Sequence, residues 1–236
     1  MRVDLIGTGS IYTKYNSAST LVNEELLIDI PNGCHKQLLK MGYEIEKIKA
    51  VAITHFHGDH FADLPFLVRH RYALKLSEQL IIIAPKGASE QIKRLFDVYN
   101  SNDFDWKSTI NIIEIENSKN EIDILDKYHI IPIEVEHGDF KPAYGYIVNN
   151  ILGITGDTCI CKGVKEILNN SKIMIADTSF RTGKDSHMGI DDIKELLANC
   201  NKKIIATHLR DSTREALKNE KISNLIIPED GYHFEI

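Results

Sequence analysis

The chain has 236 residues, 43% hydrophobic and 26% charged, the balance of a globular protein with a sizeable core, which excludes disorder and collagen-like repeats. No apolar run approaches the roughly 20 residues needed to span a bilayer, and the opening Met1–Ser10 lacks the basic, apolar and small-residue sections of a signal peptide, so it reads as folded structure. Lys plus Arg number 28 against 34 Asp plus Glu, a formal net charge of −6, which tilts against a protein built to grip long nucleic acid.

No Pro/Gly/Ser-rich linker, low-complexity tract or fixed-period repeat divides the sequence, so residues 1–236 read as one domain. Short β-branched runs at Arg2–Ile6, Ser19–Val22 and Leu26–Ile30 predict strands, and His35–Met41 predicts a short helix closed by Gly42. Ile48–Thr54 is apolar enough for a strand buried on both faces. From Phe61 to Leu76, apolar residues at helical spacing (Leu64, Leu67, Val68, Leu74) predict a helix. Strand Leu80–Ala84, helix Ala88–Tyr99 and a β-rich stretch from Ile110 to Val148 follow. The pattern then alternates: strand Ile151–Thr155, helix Val164–Leu168, strand Ile173–Ala176, helix Ile190–Asn199, strand Lys203–Thr207, helix Thr213–Lys218, and terminal strands Asn224–Ile227 and Tyr232–Glu235. Strands and helices mix in both halves, which fits two packed sheets with helices on their outer faces better than one doubly wound parallel sheet.

The four cysteines, Cys34, Cys159, Cys161 and Cys200, are irregularly spaced and read as reduced thiols of a cytoplasmic protein. The 10 histidines are placed less evenly. Thr54-His55-Phe56-His57-Gly58-Asp59-His60 directly follows a buried strand, and imidazole with carboxylate suits Zn²⁺ or another first-row divalent ion. In an extended or looping stretch, His55 and His57 can face one way while Asp59 and His60 serve a second ion. Other ligand-type residues stand just past apolar strands: His137 after Ile130–Glu136, Asp157 after Ile151–Thr155, and His208 after Lys203–Thr207. One rim of a sheet sandwich would collect these seven groups, enough for two metals with a shared carboxylate.

His-x-His-x-Asp-His, a later lone His, Gly156-Asp157-Thr158 and a late Thr207-His208 together resemble the metallo-β-lactamase-fold hydrolases. Within them the chain looks most like the ribonuclease Z branch and its small phosphodiesterase relatives. The segments carrying that likeness are Leu5-Ile6-Gly7-Thr8-Gly9-Ser10, Leu27-Ile28-Asp29-Ile30, Asp59-His60-Phe61-Ala62-Asp63-Leu64-Pro65, Ala143-Tyr144-Gly145-Tyr146 and Ser186-His187-Met188. The resemblance implies an α/β fold of α+β type, a four-layer αββα sandwich. It implies two divalent metal ions, Zn²⁺ first with Mn²⁺ or Fe²⁺ as alternatives. His55, His57 and His137 would hold one, Asp59, His60 and His208 the other, and Asp157 would bridge. Asp29 would orient a ligand imidazole, Asp59 would share in proton transfer, and His187 would contact the phosphate or protonate the leaving oxygen.

The implied reaction is hydrolysis of a phosphodiester by a metal-bridging hydroxide. Two departures bear on the substrate. Asp63 stands where relatives often have Gly, and only Gly138 to Gly156 occupy the place where tRNA-processing ribonuclease Z enzymes carry a long arm. With the acidic balance, this favours a small anionic phosphodiester over polynucleotide and expects no membrane partner; a homodimer is compatible with the sequence. The alternatives are a lactonase or thioesterase on the same metal pair, a ribonuclease Z-like nuclease, and a metal-binding module without activity. A further feature, Arg69-His70-Arg71 with Lys75, reads by default as a solvated helix face.

Overall fold

The computed structural model describes residues 1–198 and 200–236, and its backbone gathers into two compact units. The first comprises residues 1–7, 16–115 and 230–236, and the second residues 8–15 and 116–229.

The first unit is built on a seven-stranded mixed sheet. β1 (Arg2–Gly7), β2 (Ser19–Val22) and β3 (Leu26–Ile28) run antiparallel in sequence, and β14 (His233–Glu235) pairs antiparallel with the outer side of β1. β4 (Ala50–Ala52), β5 (Leu80–Pro85) and β6 (Ile110–Ile115) extend the sheet from β3 with parallel pairings, in the order β14-β1-β2-β3-β4-β5-β6. Parallel neighbours need crossover connections, and α1 (Cys34–Lys40), α2 (Gly58–Phe61) with α3 (Leu64–Ala73), and α4 (Ala88–Val98) supply them. α4 buries Ala88, Ile92 and Phe96, every fourth residue and hence one face. These side chains join Ile6, Leu27, Val51, Leu67, Ile82 and Trp106 in the core, where Phe96 stacks on Trp106 with centroids 4.3 Å apart.

The single helix expected over 61–76 is two helices broken at Asp63. α1 has no side-chain cap of its own, and the Asp63 carboxylate serves it from outside by accepting the His35 backbone N–H at 3.0 Å. The inward position expected of Leu74 belongs to Arg71 instead. Leu74 is 43% exposed, whereas Arg71 is buried and donates to the carbonyls of Ile48 (2.5 Å) and Glu78 (3.0 Å). Arg69 forks onto Asp103, and His70 meets His35 with ring nitrogens 3.0 Å apart. Of the basic triplet, Arg71 is thus a buried structural group, while Arg69 stays on the solvated face expected of it.

The second unit repeats the same succession of pairings. β7 (Ile122–Ile124), β8 (Tyr128–Glu134), β9 (Tyr144–Val148) and β10 (Leu152–Ile154) are antiparallel neighbours. β11 (Ile173–Asp177), β12 (Lys203–Thr207) and β13 (Leu225–Ile226) continue in parallel from β10. α5 (Lys162–Asn169), α6 (Ile190–Ala198) and α7 (Asp211–Lys218) are its crossovers; the expected last residue of α6, Asn199, lies outside the described residues. Ile133, Val135, Ile147, Val164, Ile167, Met174, Ile193 and Ile204 form its main core. The stretch 138–156 holds β9 and β10, joined by a short turn, in place of a long arm, although the strands take less of it than the sequence suggests. No helix among the described residues is long and apolar enough to cross a membrane.

Candidate metal centre

In the first unit, the histidine motif leaves β4 in extended backbone, caps α2 with His57 and places Asp59 and His60 within that one-turn helix. His55 Nε2 lies 3.0 Å from His57 Nδ1, and His60 Nε2 lies 3.9 Å from Asp59 Oδ2. The motif thus presents two donor pairs. Two imidazole nitrogens this close can share one proton or one cation, and an ion about 2.0–2.1 Å from each fits the gap.

Asp29 organises this half. It follows β3 in left-handed backbone (φ 60°) and is buried. Its carboxylate accepts the Thr54 backbone N–H (2.8 Å), the Thr54 hydroxyl (2.8 Å) and the His60 Nδ1–H (2.7 Å). Burial pushes the Asp29 carboxyl above its ordinary value, opposed by the charge and bond of His60 and by the two Thr54 bonds. Because the Thr54 hydroxyl spends its proton on Asp29, its oxygen accepts from His55 Nδ1 at 3.1 Å. Both His55 and His60 are thereby fixed with the lone pair on Nε2.

The second unit uses the same device. His137 Nδ1–H donates to the Ser186 carbonyl (2.7 Å), and His187 Nδ1–H donates to Asp177 Oδ2 (2.8 Å). Ser179 gives its hydroxyl proton to Asp177 Oδ1 (2.6 Å) and accepts from His208 Nδ1 (2.8 Å). His208, left-handed at φ 54°, points Nε2 toward Asp157 Oδ2 at 3.3 Å. Asp157, Asp177, His187 and His208 each bring one donor atom within 4.8 Å of the others. The rings of His187 and His208 stack with centroids 5.2 Å apart, and those of His137 and His187 meet edge-on at 4.9 Å. Burial works against a charged His187, but the bond and charge of Asp177, aided by Asp157, outweigh it, so His187 titrates above its ordinary value.

All the residues singled out in the sequence thus fall into two clusters: His55, His57, Asp59 and His60 with Asp29 in one unit, and His137, Asp157, His187 and His208 in the other. The sequence reading missed Asp177, Ser179 and Thr54. Asp177 obeys the rule used for the others, an acidic residue ending an apolar strand; the two hydroxyls carry no sequence signal. Of the cysteines, all described as free thiols, burial pushes Cys34 up to about 12 and Cys159 up to about 11, which makes them poor nucleophiles.

Known proteins bear out the fold. A diphosphatase from the PhnP family superposes with a TM-score of 0.81 at 18% identity, covering 100% of this chain and 97% of its own. YhfI from Bacillus subtilis, a metallo-β-lactamase fold protein, superposes at 0.78 with 19% identity over 99% of this chain and 98% of its own. Ribonuclease Z of Pyrococcus abyssi is 33% identical over 152 residues, 62% of this chain and 47% of that protein. The chain spans about half the length of the ribonuclease Z relatives it matches in this way. The solved neighbours show that the chain has the metallo-β-lactamase fold, and the sequence relatives it matches are ribonuclease Z proteins. The chain belongs to the family described as anti-Pycsar protein Apyc1, whose model matches residues 1–232.

Proposed function

We propose that this chain is a dinuclear metal-dependent phosphodiesterase acting on a small anionic phosphodiester. The observation that carries the reading is the locking of four histidines, His55, His60, His137 and His208, by acceptors on Nδ1. This is how proteins prepare imidazoles for a metal, since a ring held in this way offers its other nitrogen without further ordering. In the ribonuclease Z pattern, His55, His57 and His137 would hold one ion and Asp59, His60 and His208 the second, with Asp157 serving both. The mixed imidazole and carboxylate set suits zinc, with manganese or iron as alternatives. When bound, such ions lower the pKa of water toward neutrality and neutralise charge on phosphate oxygens.

The chain's own groups do the rest. Asp59, on α2, accepts a proton as the nucleophile forms. His187, anchored through Nδ1 by Asp177, offers Nε2–H to the departing alkoxide, and the bond and charge of Asp177 favour the protonated ring. A small substrate is favoured because residues 138–156 are a short stretch carrying β9 and β10, leaving no long arm for tRNA. The family name describes members as acting against Pycsar; we take this chain to do so by hydrolysing such a diester. Residues 1–236 would act as one hydrolase domain, because each unit is assembled from separated segments and neither can be excised as a continuous piece. The free cysteines fit a reducing cytoplasm.

The test is metal analysis with a substrate panel: bis(p-nitrophenyl) phosphate, a cyclic mononucleotide, a precursor tRNA, a lactone and a thioester. Purified protein should carry close to two metals and prefer the small diesters. Asp157→Ala should lose metal and activity, whereas His187→Ala should keep its metal and lose about 10²–10⁴ in rate. Preference for the lactone or thioester, or full activity in Asp157→Ala, would overturn the assignment.

A further inference from the structure

Arg210 stands two residues beyond His208, at the entrance of α7. Its guanidinium packs against two aromatic rings, with Cζ 4.7 Å from the centroid of Tyr12 and 4.3 Å from that of Phe180. Its backbone carbonyl is used by α7, accepting from the N–H groups of Thr213 and Arg214. Its side chain makes no hydrogen bond or ion pair with any described residue, and Nε is buried without a partner. Arg214, on the next helical turn, is the contrast. It donates to the Pro228 carbonyl (2.7 Å) and to both oxygens of Thr8 (3.3 and 2.6 Å) while lying over Tyr15. Arg214 spends its two terminal nitrogens on the fold, whereas those of Arg210 are held in place unspent.

We propose that Arg210, packed against Tyr12 and Phe180, grips the non-bridging oxygens of the substrate's phosphodiester. The proposal rests on the phosphodiesterase reading above and deepens it. A guanidinium has five donors in one plane, and leaving a buried one unmade costs free energy that an arriving acceptor recovers. The planar fork of donors matches two oxygens of a phosphate, and the two neighbouring rings help hold it in place. The location fits. Phe180 follows Ser179, the residue that holds His208, and its ring lies 5.8 Å from the ring of His187. The grip therefore borders the group assigned to protonate the leaving oxygen. Tyr12 is 67% exposed, so it packs against the guanidinium without being part of the core.

The experiment begins with wild-type, metal-replete protein on bis(p-nitrophenyl) phosphate. Failure to cleave it, with turnover of a lactone or thioester, defeats the phosphodiesterase reading without reference to Arg210. Given cleavage, KM, kcat, metal content and competitive inhibition by inorganic phosphate are measured for Arg210→Met, Arg210→Lys and Tyr12→Ala. Arg210→Met should keep its metal and raise both KM and the phosphate inhibition constant at least tenfold. Arg210→Lys should recover only part of the loss, because it restores charge but not the fork, and millimolar guanidinium should restore part of the activity of Arg210→Met. Tyr12→Ala, an exposed change that leaves the core intact, should weaken phosphate inhibition about threefold to tenfold. A folded, metal-replete Arg210→Met with both constants within twofold of wild type would overturn the inference. So would an unchanged phosphate inhibition constant in Tyr12→Ala should the arginine variants fail to fold.

Discussion

Replacing Asp29 with alanine tests the claim that its carboxylate is the organising acceptor of the first unit. Three donors converge on it, the Thr54 N–H, the Thr54 hydroxyl and His60 Nδ1–H, all at 2.7 or 2.8 Å. Asp29 and Thr54 are buried, as is His60, so truncation leaves three donors in low dielectric. At about 1–3 kcal/mol for each orphaned group, and toward the lower end because water can enter the vacated space, the loss is about 3–5 kcal/mol. Position 29 is left-handed, where alanine adds about 1 kcal/mol of strain that asparagine escapes. The sum, about 4–6 kcal/mol, is a large share of the 5–15 kcal/mol that holds a typical domain. Asp29→Asn keeps shape and backbone but must turn an amide NH₂ against one donor, so it should lose less, about 1–3 kcal/mol. Urea unfolding with chelator present, followed by fluorescence, measures both. The single tryptophan, Trp106, is buried against Phe96 in the same unit and reports its integrity. With a slope of about 2–3 kcal/mol/M, the midpoint of Asp29→Ala should fall by about 1.5–3 M. A shift under about 0.3 M would refute the assignment, since the three donors would then have found other partners at no cost.

Two further outcomes follow from other parts of the molecule. Burial, with the charges of His70 and Lys36, lowers the His35 pKa to about 4 from 6.5. Native His35 therefore stays neutral while the unfolded chain takes up a proton, and its contribution is complete above pH 6.5 and lost as pH falls toward 4. After discounting for its partial exposure, His35→Gln should flatten the acid-side loss by on the order of 1–2 kcal/mol, read from urea midpoints across that range; a parallel loss in both proteins would refute it. A Cβ on Gly163 would stand 2.2 Å from the Glu134 carbonyl oxygen, where α5 presses on β8. Gly163→Ala should cost about 1–3 kcal/mol, seen as a lower thermal midpoint, despite alanine's better helix propensity; an unchanged or raised midpoint would show that the helix can shift freely.

The donors were legible because metal chemistry concentrates rare residue types. Three histidines and an aspartate crowd into six positions after an apolar strand, and single donors follow three more. Asp177 escaped because the apolar run reads as ending at Ala176, which turns the next residue into an ordinary turn aspartate, while the strand runs one residue further. Thr54 and Ser179 escaped for a different reason. Their role is to pass one proton and accept another, a property of position that no residue type announces. Arg71 shows the limit of periodicity. Helical spacing points Leu74 inward, but α3 stops at Ala73, and the open carbonyls of Ile48 and Glu78 reward a long donor over an apolar side chain. The shared succession of pairings in the two sheets was likewise invisible, because strand order is set by backbone pairing and leaves no repeat in the side chains.

That shared succession separates chemistry from growth. Asp29, His55, Asp157, Asp177 and His208 sit at or just beyond the carboxyl ends of β3, β4, β10, β11 and β12, all of which take part in the parallel halves of their sheets. The turns that lead into those strands lie at the opposite ends of the ladders, and exposed Gly42, ahead of core residues Ile45 and Ile48, is one of them. An inserted peptide tag therefore belongs beside Gly42, where it would burden the scaffold and leave the chemistry alone.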